Sequence, residues 1–197
     1  MTYVPVDQRR SSRAMLSVLR YTTQDHTYHI VLRALASGIG AACERTKNTT
    51  DEAIVDDECE RIENLLGVAF VVCQVQIAAV ISWARRTCGL QTCKSFAQEL
   101  LTLGEKVDGG CSYSKIEVIW ELGNYFKHRD EWESDWSRLR GRQQKTAKII
   151  QHIGLASGCT GNLRRGAEVL GNRAYVDLHV LADVVDKWGV QVVTEVE

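Results

Sequence analysis

The apolar residues of this chain recur mainly at spacings of three and four, the period of one face of an α-helix. The first series begins at Asp25 and ends near Arg45. Its apolar positions are Tyr28, Val31, Leu32, Leu35, Ile39 and Ala42. Residues 1–23 instead mix Arg and Ser with scattered apolar residues, which predicts a loose N-terminal arm. We therefore expect the folded domain to span residues 24–197.

A second, much longer helix is predicted from about Thr50 to Arg86. Thr49 and Glu52 have the spacing of a capping box at its start. Residues 65–84 contain no charged side chain, and such a helix either lies at the centre of a bundle or spans a membrane. Gly67 and two glutamines within this stretch favour a buried central helix. We therefore expect no association with a membrane.

The rest of the chain predicts shorter helices separated by turns. They are expected at residues 96–103, 114–128, 146–153, 161–170 and 175–188, with Ser112 or Ser114 as the cap of the second and Thr160 or Asn162 as the cap of the fourth. Residues 132–141 are expected to be irregular, and residues 190–193 form either a short strand or more helix. The pattern predicts one all-α domain, a helical bundle with one long central helix and a possible short C-terminal strand.

Composition agrees with long helices, because the 197 residues include a single proline, Pro5. The formal net charge of −1 argues against a protein that is basic overall. The seven cysteines follow an N-terminus without an apolar signal region, so we expect a cytoplasmic protein with reduced, buried thiols. The closest cysteine pair, Cys88 and Cys93, has no matching second pair, so we expect no structural metal site, and no cofactor motif is present.

One predicted helix carries a polar stripe on an otherwise apolar surface. Glu117, Glu121, Asn124 and His128 lie at positions i, i+4, i+7 and i+11, so they share one side of the helix. Such a stripe either faces water or lies at an interface or cleft where its groups are hydrogen-bonded. Both alternatives are open from the sequence.

The end of this stripe resembles a known signature. Residues 124–128, Asn-Tyr-Phe-Lys-His, are similar to the Asn-x-x-x-His half of the Arg-Asn-x-x-x-His motif of the HEPN superfamily. That family is all-α, commonly dimeric, and includes metal-independent RNases of toxin and defence systems. The resemblance implies that His128 is the catalytic or phosphate-contacting imidazole and that Asn124 is the orienting amide. It covers one predicted helix.

The position that holds arginine in that motif is Gly123. A guanidinium offers a phosphate five donors in a rigid fork, and glycine offers none. Lys127 or Arg129 would have to replace it, although on a helix both point away from the face of Asn124. This departure favours a relative that binds without catalysis.

A run of cations follows the polar stripe. Its members are Arg138, Arg140, Arg142, Lys145 and Lys148, with Arg164 and Arg165 shortly after. Phosphate binding needs such local charge, and the rings of Trp132 and Trp136 offer stacking surfaces for bases. Four acids between residues 130 and 135 would repel phosphate. Adjacent acidic and basic blocks fit a protein partner better.

Two hypotheses follow. In the first, the chain is a non-catalytic HEPN-like bacterial interaction protein of the immunity, antitoxin or defence-accessory type, which binds a toxin or a second copy of itself. Its binding residues are Lys127, Arg129, Trp132, Trp136, Glu117 and Glu121. In the second, the chain is a metal-independent endoribonuclease in which His128 is the acid/base catalyst and Asn124 positions the RNA. Neither hypothesis requires a metal or a cofactor.

Overall fold

The computed structural model describes residues 27–90, 93–132, 135–171 and 176–196, so the predicted N-terminal arm lies outside it. Across these ranges the chain forms seven α-helices and no strand, which confirms the all-α bundle. The helices are α1 (Thr27–Lys47), α2 (Glu52–Thr87), α3 (Lys94–Thr102), α4 (Lys115–His128), α5 (Gly141–His152), α6 (Asn162–Leu170) and α7 (His179–Val196). Two 3₁₀ turns, Arg129–Glu131 and Trp136–Arg138, join α4 to α5.

The long helix α2 is the central element, since α1, α3, α4, α6 and α7 all pack against it. Its N-cap is Asp51, whose carboxylate accepts a hydrogen bond from the backbone N–H of Ala53. The predicted capping box of Thr49 and Glu52 is therefore wrong. The Thr49 hydroxyl instead accepts from the backbone N–H of Asp51, directly before the helix.

Only one side of α2 is buried. Leu66, Phe70, Cys73 and Ile77 are fully enclosed, whereas Val75 on the opposite side is 66% exposed. Within the described part of the chain, α2 is the one helix long and apolar enough to cross a membrane, and half of its most apolar window is buried in the bundle. The apolar run therefore serves the core on one side and reaches the surface on the other.

Helix α4 begins with a complete capping box. The Ser114 hydroxyl accepts from the backbone N–H of Glu117, and the Glu117 carboxylate accepts from the backbone N–H of Ser114. The helix crosses α2 and also packs against α5 and α6. At the α6 contact, a Cβ at Gly166 would lie 2.7 Å from the Leu122 methyl groups, so a side chain there would displace Leu122.

The C-terminal residues continue α7 to Val196 and form no strand, which corrects the expected strand alternative. The reason is core packing, because the buried positions of this helix keep helical spacing to its end. These positions are Leu181, Ala182, Val185, Trp188, Gly189, Val192 and Val193. In a strand, alternate side chains would point to opposite faces, so part of this buried set would be exposed to solvent.

The start of α6 also differs from expectation. Neither Thr160 nor Asn162 caps it, since the N-cap is Gly161 in a left-handed conformation. The free backbone N–H groups of Leu163 and Arg164 donate to the carboxylate of Glu63 on α2, at 2.9 and 3.0 Å. An acid from another helix thus takes the capping role, which suits the positive end of the α6 dipole.

The cysteines are more exposed than expected. Only Cys73 is buried, and desolvation, reinforced by the charge of Asp186, raises its pKa to about 12. Cys59, Cys88 and Cys159 are exposed, and the rest are half-buried. At Cys93, the N-cap of α3, a hydrogen bond with the Ser95 hydroxyl lowers the thiol pKa. The expectation of buried thiols is therefore confirmed for Cys73 and wrong for the others.

Candidate functional site

The polar stripe of α4 is mostly enclosed by neighbouring helices. Glu117 and Glu121 are each 7% exposed, and Asn124 is half-buried. His128, at the last position of the helix, is the one member of the stripe that is exposed. The structure therefore divides the stripe into an inner part between helices and an outer histidine.

Within the inner part, Glu117 caps its own helix, and Glu121 and Asn124 belong to a chain of hydrogen bonds that links α2, α4 and α5. The Gln74 amide donates to Oδ1 of Asn124 at 2.8 Å and to the carbonyl of Trp120 at 3.1 Å. The Asn124 amide donates to Oε2 of Glu121 at 3.0 Å, and the Thr146 hydroxyl donates to the same oxygen at 2.6 Å. These bonds satisfy polar groups at a helix junction, so the inner stripe has a structural role.

The partners Gln74 and Thr146 were not assigned to this stripe from the sequence. The one available signal was Gln74, a polar residue inside the uncharged run of α2. A buried amide in an apolar helix has to find a hydrogen-bonding partner. The sequence does not tell which helix supplies it.

Gly123 lies at a close contact between α4 and α2. A Cβ there would lie 3.2 Å from Oε1 of Gln74 and 3.3 Å from the carbonyl oxygen of Phe70. Any side chain at this position would have to fit between the two helices. The position that holds arginine in the resembled motif is therefore a packing contact here, and it is buried.

The end of α4 carries the exposed groups of the predicted site. The His128 side chain is 50% exposed, and its Nδ1 lies 3.2 Å from Oε1 of Glu131. Lys127 is exposed beside it. Arg129 turns back to the bundle, donates to Oδ1 of Asn64 at 2.7 Å and stacks over Phe126 at 4.9 Å. The Arg129 guanidinium is therefore bound to a residue of α2, and Asn124 is not among its partners.

Trp132 and Trp136 pack together with Tyr125. The three rings meet edge to face, with centroids 5.2 to 5.7 Å apart. Trp136 is buried, and the indole N–H of Trp132 is buried without a hydrogen-bonding partner in the described structure. These rings pack the irregular segment after α4 against the bundle, and the buried Trp136 ring is not open for stacking.

The basic run does not form one surface. Arg138 pairs with Asp135, and Arg140 donates to the carbonyls of Ser137 and Leu139. Lys145 donates to Gln98 of α3 at 2.6 Å. Arg142 and Lys148 are exposed on α5. The cations thus divide between turn-stabilising contacts and an exposed face of α5.

The sequence did not predict a further surface, the exposed side of α2. Along it, Val68 is 40% exposed and Val75 is 66% exposed, and Ala78, Ala79 and Ser82 are exposed beyond them. We name these five residues the α2 stripe. Four of the five are apolar, and exposed apolar side chains grouped on one helix mark an interaction surface more often than scattered ones do.

A shallow groove of about 420 Å³ adjoins the N-terminal end of the stripe. It is lined by Asp57, Glu60, Arg61, Asn64, Leu65 and Val68. We name it the α2 groove. Asn64 also holds Arg129, so the groove lies next to the end of α4.

The described residues contain no group of three or more His, Cys, Asp or Glu side chains arranged to hold a metal ion. No protein-family model, curated protein or solved structure matches this chain.

Proposed function

We propose that this protein is a non-catalytic, HEPN-like bacterial interaction protein of the immunity, antitoxin or defence-accessory type, and that it acts by binding another protein. The observation that carries the proposal is the α2 stripe. Residues 64–84 contain no charged side chain, yet Val68 and Val75 on this stretch reach solvent. Exposed apolar area costs free energy in water, and a partner that covers it recovers that free energy.

The interior of the predicted catalytic site supports binding without catalysis. Gly123 supplies no phosphate-binding group, and the Asn124 amide is committed to Gln74 and Glu121. His128 stands apart from this network, with Glu131 as its partner. Phosphoryl chemistry needs a cation at the developing charge, and the half-buried Arg129 is held by Asn64 instead.

Co-purification tests the proposal. The protein is co-expressed in the cytoplasm, where we expect it to act, with a differently tagged copy of itself and with the products of neighbouring genes. We expect a protein partner to be retained by the native chain and lost with Val75→Lys. Thr194→Lys, on the exposed side of α7, is the matched control and retains it. Absence of any partner would contradict the proposal.

The alternative function is a metal-independent RNase. It is favoured by the exposure of His128 beside Lys127 and by the exposed cations of α5. The test is incubation with single-stranded and structured RNA in EDTA, with His128→Ala alongside. We expect no cleavage by either protein. Cleavage by the native chain that is lost in His128→Ala would establish the RNase and overturn the non-catalytic proposal.

A further inference from the structure

Two cysteines flank the turn that joins α2 to α3. Cys88 is exposed and forms the C-cap of α2, and Cys93 is half-buried and forms the N-cap of α3. They are the closest pair of cysteines along the chain. The proposed function makes no use of this pair.

Hydrogen bonds fold the turn back onto the end of α2. The backbone N–H of Leu90 donates to the carbonyl of Arg85 at 2.8 Å, and the backbone N–H of Cys93 donates to the carbonyl of Leu90 at 3.0 Å. The Arg85 guanidinium donates to the carbonyl of Cys93 at 2.9 Å. Because residues three apart on a helix are neighbours, Arg85 lies on the same side of α2 as Cys88. It therefore holds Cys93 at the end of α2 that carries Cys88.

The charges along this turn are positive. Residues 85–96 include the cations Arg85, Arg86 and Lys94 and no acid. Nε of Arg85 is buried without a hydrogen-bonding partner in the described part of the chain. Glu99, further along α3, is the acid that acts on Cys93 in the opposite sense. A cationic, partly exposed setting is typical of reactive thiols.

The Cys93 sulfur also has hydrogen-bond donors of its own. Its Sγ lies 3.2 Å from the Ser95 hydroxyl oxygen, and this contact lowers the pKa of the Cys93 thiol. The backbone N–H groups of Phe96 and Ser95, at the start of α3, act in the same direction. Burial and the charge of Glu99 oppose the shift without reversing it. The thiolate is the nucleophilic form of cysteine, so Cys93 is expected to react first.

We propose that Cys88 and Cys93 form a redox site, in which a hydroperoxide oxidises Cys93 and Cys88 then closes a disulfide with it. In the first step the Cys93 thiolate attacks one oxygen of hydrogen peroxide. An S–O bond forms, the O–O bond breaks, hydroxide leaves, and Cys93 becomes a sulfenic acid.

In the second step the Cys88 sulfur loses its proton and attacks the Cys93 sulfur. An S–S bond forms, the S–O bond breaks, and the released hydroxide takes up the proton and leaves as water. Over both steps the two cysteines lose two electrons, and one hydrogen peroxide becomes two waters once the first hydroxide is protonated. The disulfide ties the end of α2 to the start of α3, and an added thiol reduces it again.

The site is independent of the α2 stripe and needs no protein partner. A disulfide requires its two Cα atoms to come within about 7 Å of each other, and a short turn that folds back permits this. Disulfides that form in the cytoplasm are mostly transient and act in catalysis or redox sensing. A reversible bond at this turn therefore agrees with the expected cytoplasmic location.

Brief exposure of the reduced full chain to hydrogen peroxide tests the proposal. Free thiols are then blocked with N-ethylmaleimide, and the protein is digested with trypsin. Cleavage after Arg86 and Lys94 leaves both cysteines in one peptide, residues 87–94. We expect this peptide to escape alkylation and to be lighter by two hydrogen atoms, and its oxidation to be about tenfold faster than that of the exposed Cys59 and Cys159. Unfolding in urea is expected to abolish this difference.

Serine variants separate the two steps. In Cys88→Ser, oxidation stops at the sulfenic acid of Cys93, which dimedone traps. In Cys93→Ser, we expect Cys88 to stay reduced at the same peroxide concentration, and serine at this position still caps α3. Ser95→Ala slows the oxidation about threefold or more, whereas the matched control Cys59→Ser keeps the native rate. Circular dichroism confirms that each variant folds.

Equal oxidation rates at Cys93, Cys59 and Cys159 would overturn the proposal. A fully alkylated 87–94 peptide, or a disulfide from Cys93 to any sulfur other than that of Cys88, overturns it as well. Partner binding through Val75 is measured separately, so the redox site and the proposed function can each fail alone.

Discussion

The ring of Phe126 on α4 occupies the space that a side chain at Gly67 of α2 would need. A Cβ at Gly67 would lie 2.0 Å from Cδ2 of Phe126, well inside any allowed contact. The same two helices meet again where Gly123 of α4 faces Gln74 of α2. One glycine on each helix therefore sets the close crossing that positions the polar stripe.

Gly67→Ala is expected to destabilise the protein by about 1 to 3 kcal/mol, because Phe126 has to leave its place and loses packing. Urea denaturation measures the change. Gly40→Ala is the control, since a Cβ at Gly40 on α1 meets nothing within 4 Å. Replacing a glycine inside a helix without a clash stabilises by about 0.5 to 1 kcal/mol. Equal changes in the free energy of unfolding for the two substitutions would contradict the close contact between Gly67 and Phe126.

Thr146→Val removes one of the two hydrogen bonds to Oε2 of Glu121 while it keeps the shape of the side chain. A buried acceptor that loses a partner costs about 1 to 3 kcal/mol. We expect this loss in thermal or urea unfolding. Thr194→Val is the control, because the Thr194 hydroxyl is exposed and donates only to its own helix. A loss below about 0.5 kcal/mol at Thr146 would show that water replaces the hydroxyl.

The ion pair between Glu58 and Arg45 predicts that the stability of the fold depends on pH. The Arg45 guanidinium donates two hydrogen bonds to Glu58, at 2.6 and 2.8 Å, and these lower the pKa of the Glu58 carboxyl from its ordinary 4.5. A lowered folded pKa means that the stabilisation is complete above the unfolded pKa and is lost as the pH falls through the folded value.

Glu58→Gln should therefore lower the melting temperature at neutral pH and flatten its decline between about pH 5 and pH 3. Melting curves across this range by circular dichroism provide the measurement. Glu44→Gln is the control, because Glu44 forms an exposed pair with Lys47. If the melting temperature of Glu58→Gln falls as steeply with decreasing pH as that of the native protein, other carboxyl groups cause the loss of stability.

Trp136→Ala is expected to lower the stability of the fold and to leave partner binding unchanged. The Trp136 ring is buried against Tyr125 and Trp132, and loss of a buried tryptophan costs about 3 to 5 kcal/mol. Denaturation monitored by tryptophan fluorescence measures this cost. We expect the folded variant to keep its protein partner. Loss of the partner with unchanged stability would instead make this cluster a binding surface.

Helical periodicity predicted all the main elements, but their ends moved. Helix α5 begins at Gly141, earlier than the predicted Thr146, and α7 begins at His179 and runs to Val196. The caps were harder to predict, because Asp51 lies beside Thr49 and Thr50, which can also cap a helix, and Glu63 caps a helix other than its own. In the case of Glu63, the capped helix lies 100 residues further along the chain.

The order of apolar and polar residues by itself determined a helical bundle built on α2, since burying a 3.6-residue period requires helices packed on one core. It also identified the stripe from Glu117 to His128. Only the tertiary structure decided that Glu121 and Asn124 face α2 and α5 while His128 faces solvent, and that Val75 is exposed. Burial depends on which neighbour covers each side of a helix, and periodicity within one helix does not contain that information.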